Sequence, residues 1–289
     1  LDRSPGKFPE GDEGMVDFVD SLHQLGFKTN LWWYPLGVSP ESKLAKERSE
    51  LLIQAEDGSY PVDSRNLYQF CPAYGPSLDH IETLVKKFIH QWNYDGLYSD
   101  TRGLSAVPLC YNKAHRHKTP LESFQKVPDI FKVIDESIKK YKEDGLHEVC
   151  ICAVPHSPYN MPYYQIANAS DPVSPLQMRR RIKVEKAIHG PTYAVGDCYQ
   201  VPADEWSGFS VPQSFESAMG TGAQVTTFYT DLDANQLVEW NRWFGEYNQL
   251  ELSRAAYVNL YDIAYDKPEI HVIKKDRKLF YGIYAELWS

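Results

Sequence analysis

What the sequence has little of narrows it first. Five cysteines in 289 residues, at positions 71, 110, 150, 152 and 198, are too few and too irregular for a disulfide framework. Cys150 and Cys152 would share one face of a strand and are read as buried thiols; no second pair stands at metal spacing, so a zinc pair is not expected. No apolar run approaches the roughly 18 residues of a membrane-spanning helix, so no membrane partner is expected. Basic charge is also short. Thirty Lys and Arg stand against 39 Asp and Glu, a net charge of -9, which argues against nucleic acid as a partner. The one dense basic cluster, Arg179-Arg180-Arg181, falls in a helix-like stretch. There is no internal repeat, no low-complexity tract, no initiator Met and no leader-like opening, so both ends are expected to be cut and cellular location is not legible.

What is present is a globular composition, 43% hydrophobic and 24% charged, long enough for one large core. Aromatics reach 13%, with 20 Tyr and 7 Trp. That suits a site where ring faces stack on the apolar faces of sugars, although core packing uses the same residues.

Along the chain, strand-like runs alternate with helix-like stretches, the sign of a parallel sheet built from βα units. The pattern gives a helix over 13–25 ended by Gly26, and a strand over 28–34 broken by Pro35. A helix over 43–52 and a short strand over 68–71 come next. Residues 77–90 have helical periodicity, with Leu78, Ile81, Leu84, Val85 and Phe88 on one face. Strands are expected at 95–100, 148–154, 165–169, 192–195 and 223–229, with helices over 123–141, 175–188 and from Asp231 through Trp243. That makes seven strands where a closed (β/α)8 TIM barrel has eight in about 250 residues, so the expected fold is such a barrel lacking its first strand. The barrel is assigned to 1–255. The short strands near 260, 271–273 and 279–281 are the expected beginning of a C-terminal antiparallel β-sandwich over 256–289.

Barrels of this kind place their chemistry where strands end. Asp100, Asp171, Asp197 and Asp231 stand at such ends. Glycoside hydrolysis needs two carboxylates, and retaining enzymes hold them roughly 5–5.5 Å apart. Counting with one strand missing puts Asp100 on the fourth strand and Asp171 on the sixth, close enough round a small barrel to meet that distance. Each Asp could equally be a helix N-cap, and Asp231 and Asp233, just before Ala234-Asn235-Gln236, fit that role better.

Four segments stand in order along the chain: Lys7-Phe8-Pro9-Glu10-Gly11, Leu31-Trp32-Trp33-Tyr34-Pro35 with Ser39-Pro40-Glu41, Tyr94-Asp95-Gly96-Leu97-Tyr98-Ser99-Asp100, and Ala169-Ser170-Asp171-Pro172. Together they resemble glycoside hydrolase family 36, the melibiase-type α-galactosidases. The resemblance implies Asp100 as nucleophile and Asp171 as general acid/base. It implies sugar contacts from Arg179, Asp197, Tyr98, Arg102 and Cys150, and a platform from Trp32 or Trp33, of which strand alternation lets one face inward. Asp266-Lys267-Pro268-Glu269-Ile270-His271 is similar to the start of that family's C-terminal sandwich. The sequence departs from the family at three substrate-contact positions. Tyr98 stands where a Lys is usual, Tyr34 replaces the carboxylate before Pro35, and no Gly-rich run follows Cys150. The family's first-strand aspartates would lie upstream of Leu1.

The implied function is retaining hydrolysis of an α-linked galactoside by double displacement, with an oligosaccharide or glycoside as partner and no metal or organic cofactor. A homo-oligomer is left open. Transglycosylation and α-N-acetylgalactosaminide hydrolysis fit the same fold; a non-catalytic carbohydrate-binding barrel is the reading from another class. His115 and His117 flank Arg116 in a polar loop and are read as solvated rather than as metal ligands, because no carboxylate stands at ligand spacing.

Overall fold

The computed structural model describes residues 6–100, 104–150, 157–169, 174–196, 219–224, 233–260 and 268–285. They fall into two compact units, 1–165 and 166–289.

In the first unit, helix α1 (Asp12–Gln24) opens with Asp12 and Glu13, whose charges suit the positive end of a helix. It closes at Gly26, whose φ of 86° only glycine adopts without strain. There the Gly26 N–H reaches His23 O and the Phe27 N–H reaches Leu22 O, which satisfies the last carbonyls. Strand β1 (Asn30–Trp33) follows, then β2 (Gly37–Val38), α2 (Lys43–Glu47) and β3 (Tyr68–Gln69). Helix α3 (Gly75–Lys86) continues through a π turn at Lys87–Gln91 and buries Ile81, Val85, Phe88 and Ile89. Strand β4 (Gly96–Asp100), helices α4 (Glu122–Gln125) and α5 (Val127–Tyr141), and strand β5 (Leu146–Cys150) complete the unit's main elements. On α5 the buried Val127, Ile130, Phe131, Ile134 and Ile138 recur at helical spacing and form its core stripe.

Strands β1, β4 and β5 are parallel neighbours, with Asn30 opposite Gly96, Trp33 opposite Ser99, and Asp100 opposite Cys150. Gly96 is required here: a Cβ on it would lie 2.3 Å from Leu146 O. The run 68–71, counted from sequence as a barrel strand, is a different object. Its Tyr68 and Gln69 pair antiparallel with Val38 and Gly37, so β3 belongs to a loop hairpin and β4 lies directly against β1. The strand count that placed Asp100 fourth therefore loses one member. Two residues of ladder before Pro72 are too short a segment for periodicity to tell a hairpin from a buried strand.

In the second unit, β6 (Ile166–Asn168) and β7 (Ala194–Gly196) are parallel and joined by helix α6 (Pro175–His189). Ser174 caps α6 by accepting from Gln177 N–H at 3.1 Å, with Pro175 at the first helical position. Asp233 precedes helix α7 (Ala234–Leu250), and its Oδ1 accepts from Asn235 N–H at 2.8 Å, as a capping aspartate does. Ala169, Met178, Ile182, Val195 and Ala223 form one core under Trp240 and Trp243. A second core joins Tyr247, Leu252, Tyr257 and Ile273 to an antiparallel sheet of β8 (Ala256–Tyr257), β9 (Glu269–Lys275) and β10 (Lys278–Tyr284). No helix among the described residues is long and apolar enough to cross a membrane.

Candidate functional site

Asp100 is the last residue of β4 and is 7% exposed. Its Oδ2 accepts a hydrogen bond of 2.5 Å from Arg65 Nη2. Sequence reasoning missed this arginine, which arrives from a loop 35 residues earlier. Asp63 builds that loop. Its Oδ1 accepts from the N–H groups of Arg65 at 2.8 Å and Leu67 at 3.1 Å, an Asx turn in which Asn66 takes a left-handed φ of 59°. The Asp63-Ser64-Arg65-Asn66 string was the signal available, since Asp and Asn favour such turns. The Arg65 guanidinium lies 5.2 Å from the Tyr34 ring centroid. Burial pushes the Tyr34 phenol well above its usual range, and its hydroxyl accepts from Gln69 Nε2 at 3.1 Å. Tyr34, at the family's carboxylate position, thus supports a cation instead of adding a second charge beside Asp100.

Strand alternation sorts the other candidates. Trp33, Ser99 and His147 lie on the face packed against helices. Trp33 stacks edge-on to Phe88 of the π turn, with centroids 5.3 Å apart, and His147 packs against Phe131 of α5. Trp33 Nε1–H donates to Ser99 Oγ at 3.1 Å, Ser99 is 2.8 Å from His147 Nε2, and His147 Nδ1 is 2.7 Å from Tyr163 O. Donation from Nδ1 leaves Nε2 to accept from Ser99. Burial pushes His147 down to about 4, so the ring is neutral. Trp33, 3% exposed, is therefore a packing residue, which leaves Trp32 as the tryptophan on the Asp100 face. Trp32, Tyr98 and Cys150 alternate onto the same face as Asp100. Trp32 is 55% exposed there, and Cys150, opposite Asp100 in the ladder, is buried.

Asp171, Arg102 and Asp197 lie outside the described residues, as does Asp231. Arg179 is described and lies in α6. Its Nε and Nη2 donate to Glu269 Oε1 and Oε2 at 3.0 and 2.7 Å, and its guanidinium lies 3.7 Å from the Tyr284 ring centroid. These contacts fasten α6 to β9 and β10. A cavity of about 340 Å³ lined by Phe18, Leu22, Phe27 and Tyr94 lies by the start of β1, the opposite strand end from Asp100.

The loop after β4 also corrects the sequence reading. His115 is buried, not solvated, and both histidines meet two cysteines. One ligand atom each from Cys71, Cys110, His115 and His117 lies within 4.8 Å of all the others. Cys110 Sγ is 3.2 Å from His115 Nδ1, and Cys71 Sγ is 3.6 Å from His117 Nε2. A hydrogen bond between the two thiols pushes Cys71 above its usual range, while the same bond, with one from His115, holds Cys110 below it. Cys71 and Cys110 stand 39 residues apart along the chain, a separation no spacing motif covers, and neither belongs to the Cys150 and Cys152 pair weighed from sequence.

Parallel βα units with a buried carboxylate closing an inner strand define an α/β fold built on a parallel sheet. No family model matches the chain. The A type blood α-D-galactosamine galactosaminidase of Flavonifractor plautii is 28% identical over 98% of this chain and 26% of its own length. The family 36 α-galactosidase AgaA of Geobacillus stearothermophilus, solved as a variant with raffinose, superposes with a TM-score of 0.72 at 15% identity, covering 92% of this chain and 37% of that one. The α-galactosidase of Lactobacillus brevis gives 0.68 at 18% identity, covering 93% and 36%. TtGalA of Thermus thermophilus, solved with stachyose, gives 0.59 at 15%, covering 81% and 52%. The likeness to family 36 found in the motifs is therefore matched in the fold. These relatives are glycoside hydrolases, and the chain spans about a quarter of the galactosaminidase and about a third of the first two α-galactosidases.

Proposed function

We propose that this chain carries the core of a retaining α-glycoside hydrolase acting on terminal α-galactosides, built on a (β/α)8 barrel. Asp100 attacks the anomeric carbon while Asp171 protonates the leaving oxygen; Asp171 then takes a proton from water, which releases the sugar with retained configuration. The observation that carries this reading is the Asp100 carboxylate itself, buried at the end of a parallel strand and bonded to Arg65. A carboxylate closing an inner strand stands where such barrels do their chemistry, and its guanidinium partner compensates the charge in a water-poor setting. Trp32, Tyr98 and Cys150 share its face and are the proposed sugar contacts, together with Arg102 and Asp197.

A second reading concerns the sugar. The Flavonifractor relative is named for galactosamine, which favours a substrate bearing nitrogen at carbon 2. Tyr98 and Tyr34, at the positions where the resemblance implies Lys and a carboxylate, suit a changed set of hydroxyl contacts.

The test is turnover by the full-length protein of aryl α-galactoside, α-galactosaminide and α-N-acetylgalactosaminide. Asp100→Ala should lower kcat on the accepted sugar on the order of 10^4-fold, the scale seen when a catalytic carboxylate is deleted. Azide should then restore turnover of that variant and give the glycosyl azide of inverted configuration. Undiminished activity in Asp100→Ala removes the nucleophile assignment. A folded protein that binds one of these sugars and turns over none is the carbohydrate-binding barrel instead.

A further inference from the structure

We propose that Cys71, Cys110, His115 and His117 form a closed, structural zinc site that ties the loop after β4 to the segment after β3. Two thiolates and two imidazoles are the donor set that selects zinc in a tetrahedral site. Zinc bonds of about 2.3 Å to sulfur and about 2.0–2.1 Å to nitrogen span a tetrahedron with edges of about 3.3–3.8 Å. The Cys71–His117 separation of 3.6 Å already fits, and the Cys110–His115 separation of 3.2 Å is within side-chain adjustment of it. The remaining pairs, all inside 4.8 Å, close on a central ion through small rotations about χ1 and χ2.

The surroundings orient the ligands as a metal site requires. His115 Nε2 is 2.6 Å from the Glu50 carbonyl, which fixes its proton there and leaves the Nδ1 lone pair aimed at Cys110. Tyr74 stacks on the same ring, with centroids 4.1 Å apart and planes 17° from parallel. The Cys71 N–H is bonded to Leu51 O and the Cys110 N–H to Pro120 O, so both sulfurs hang from fixed backbone. Arg116, between the two histidines, takes a left-handed φ of 56° that a non-glycine residue adopts at a cost. Cys71, Cys110 and His115 are buried and His117 is half-buried. Four protein ligands leave no position open for water or substrate, which makes the site structural rather than catalytic. Binding expels the two thiol protons and joins two long loops of the first unit, the second of which leaves the strand that ends in Asp100.

This inference does not depend on the glycosidase reading, because metal content can be measured whether or not the protein turns over a sugar. The full-length protein, purified without chelators or metal-affinity resin, should contain about one zinc per chain by elemental mass spectrometry, as a four-ligand site requires. Two thiols should be protected from a thiol reagent until a strong chelator is added. Cobalt(II) in place of zinc should give the strong visible bands of a tetrahedral ion and a thiolate charge-transfer band. His117→Ala removes the half-buried ligand and leaves the core packing alone. It should weaken zinc binding in a competition titration with zinc sulfate and a chromophoric chelator by more than about 100-fold, since even outer-shell partners are worth 10–100-fold. A folded protein with background zinc that takes up none from zinc sulfate overturns the proposal. So does a Cys71–Cys110 disulfide found by peptide mapping of protein kept under reducing conditions.

Discussion

The two units each hold an arginine–carboxylate pair with one buried member, Asp100 in the first and Arg179 in the second, and the pairs are built differently. In the second unit, Arg179 meets Glu269 through two parallel hydrogen bonds, stacks on Tyr284, and joins a helix to a sheet. Glu269 also accepts from His271 Nε2 at 2.5 Å, and His271 Nδ1 in turn bonds the Tyr257 hydroxyl. Burial alone would raise the Glu269 carboxyl, yet donation from His271 and Arg179 holds it at about 2. In the first unit, Arg65 reaches Asp100 from a loop, and its side chain is 29% exposed against 9% for Arg179. One arrangement is a bidentate clamp between regular elements; the other is a strand-end carboxylate with a cation delivered to it. The first geometry suits stability and the second suits chemistry, where a charge partner must hold a carboxylate without enclosing it.

Breaking both pairs sharpens the contrast. Arg179→Ala leaves the half-buried Glu269 without its guanidinium and should cost about 3 kcal/mol, the low end of the scale for removing one partner of a buried ion pair. Urea unfolding followed by far-UV circular dichroism measures it. Arg65→Gln should cost less in the same experiment, about 1 kcal/mol or below, because Arg65 itself is the partly exposed member of its pair, at 29% against 9% for Arg179. Its effect should fall on catalysis instead, lowering kcat on the order of 10^2-fold with KM little changed, as when one preorganised charge donor is removed. If Arg65→Gln unfolds the protein as readily as Arg179→Ala, the two pairs are the same kind of object and the distinction fails.

A smaller effect separates the two faces of the first unit's sheet. His147 stands behind the site, held neutral by burial, with its folded value near 4 and its ordinary value near 6.5. The unfolded chain therefore binds a proton at higher pH than the folded one does. Stability is lost as pH falls from about 6.5 toward 4 and changes no further below that, a total of roughly 3 kcal/mol at 1.36 kcal/mol per pH unit. His147→Gln keeps an acceptor for Ser99 and carries no titration, so its stability should decline less than the wild type's across that window. Parallel slopes for the two proteins would mean that His147 is not buried as described.

Much of the fold was legible because it is carried by local patterns. The apolar stripe of α5, the glycine stop of α1, the strand that ends in Asp100 and the cap at Asp233 each follow from spacing within a few residues. The contacts that spacing did not show share a cause. Arg65 and Asp100, Cys71 and Cys110, and Arg179 and Glu269 are partners separated by tens of residues, and no spacing rule reaches across such distances. The short run at Tyr68 failed for a different reason: two residues of ladder cannot show whether the partner strand is parallel or antiparallel.

The paired tryptophans show how a sequence can pose a question that only packing answers. Alternation requires Trp32 and Trp33 to face opposite ways, but either could have been the inward one. Phe88 and Ser99 decide it by taking Trp33 into contact on the helix face, which leaves Trp32 on the side of Asp100. Because Trp32 is more than half exposed, Trp32→Ala should change stability by less than about 0.5 kcal/mol, as exposed substitutions do. If it is the platform under the sugar ring, KM should rise while kcat holds, since stacking binds substrate and transition state alike. A loss confined to kcat would place Trp32 in the chemistry of the reacting centre. No change in either constant would remove it from the site and leave Tyr98 as the aromatic beside Asp100.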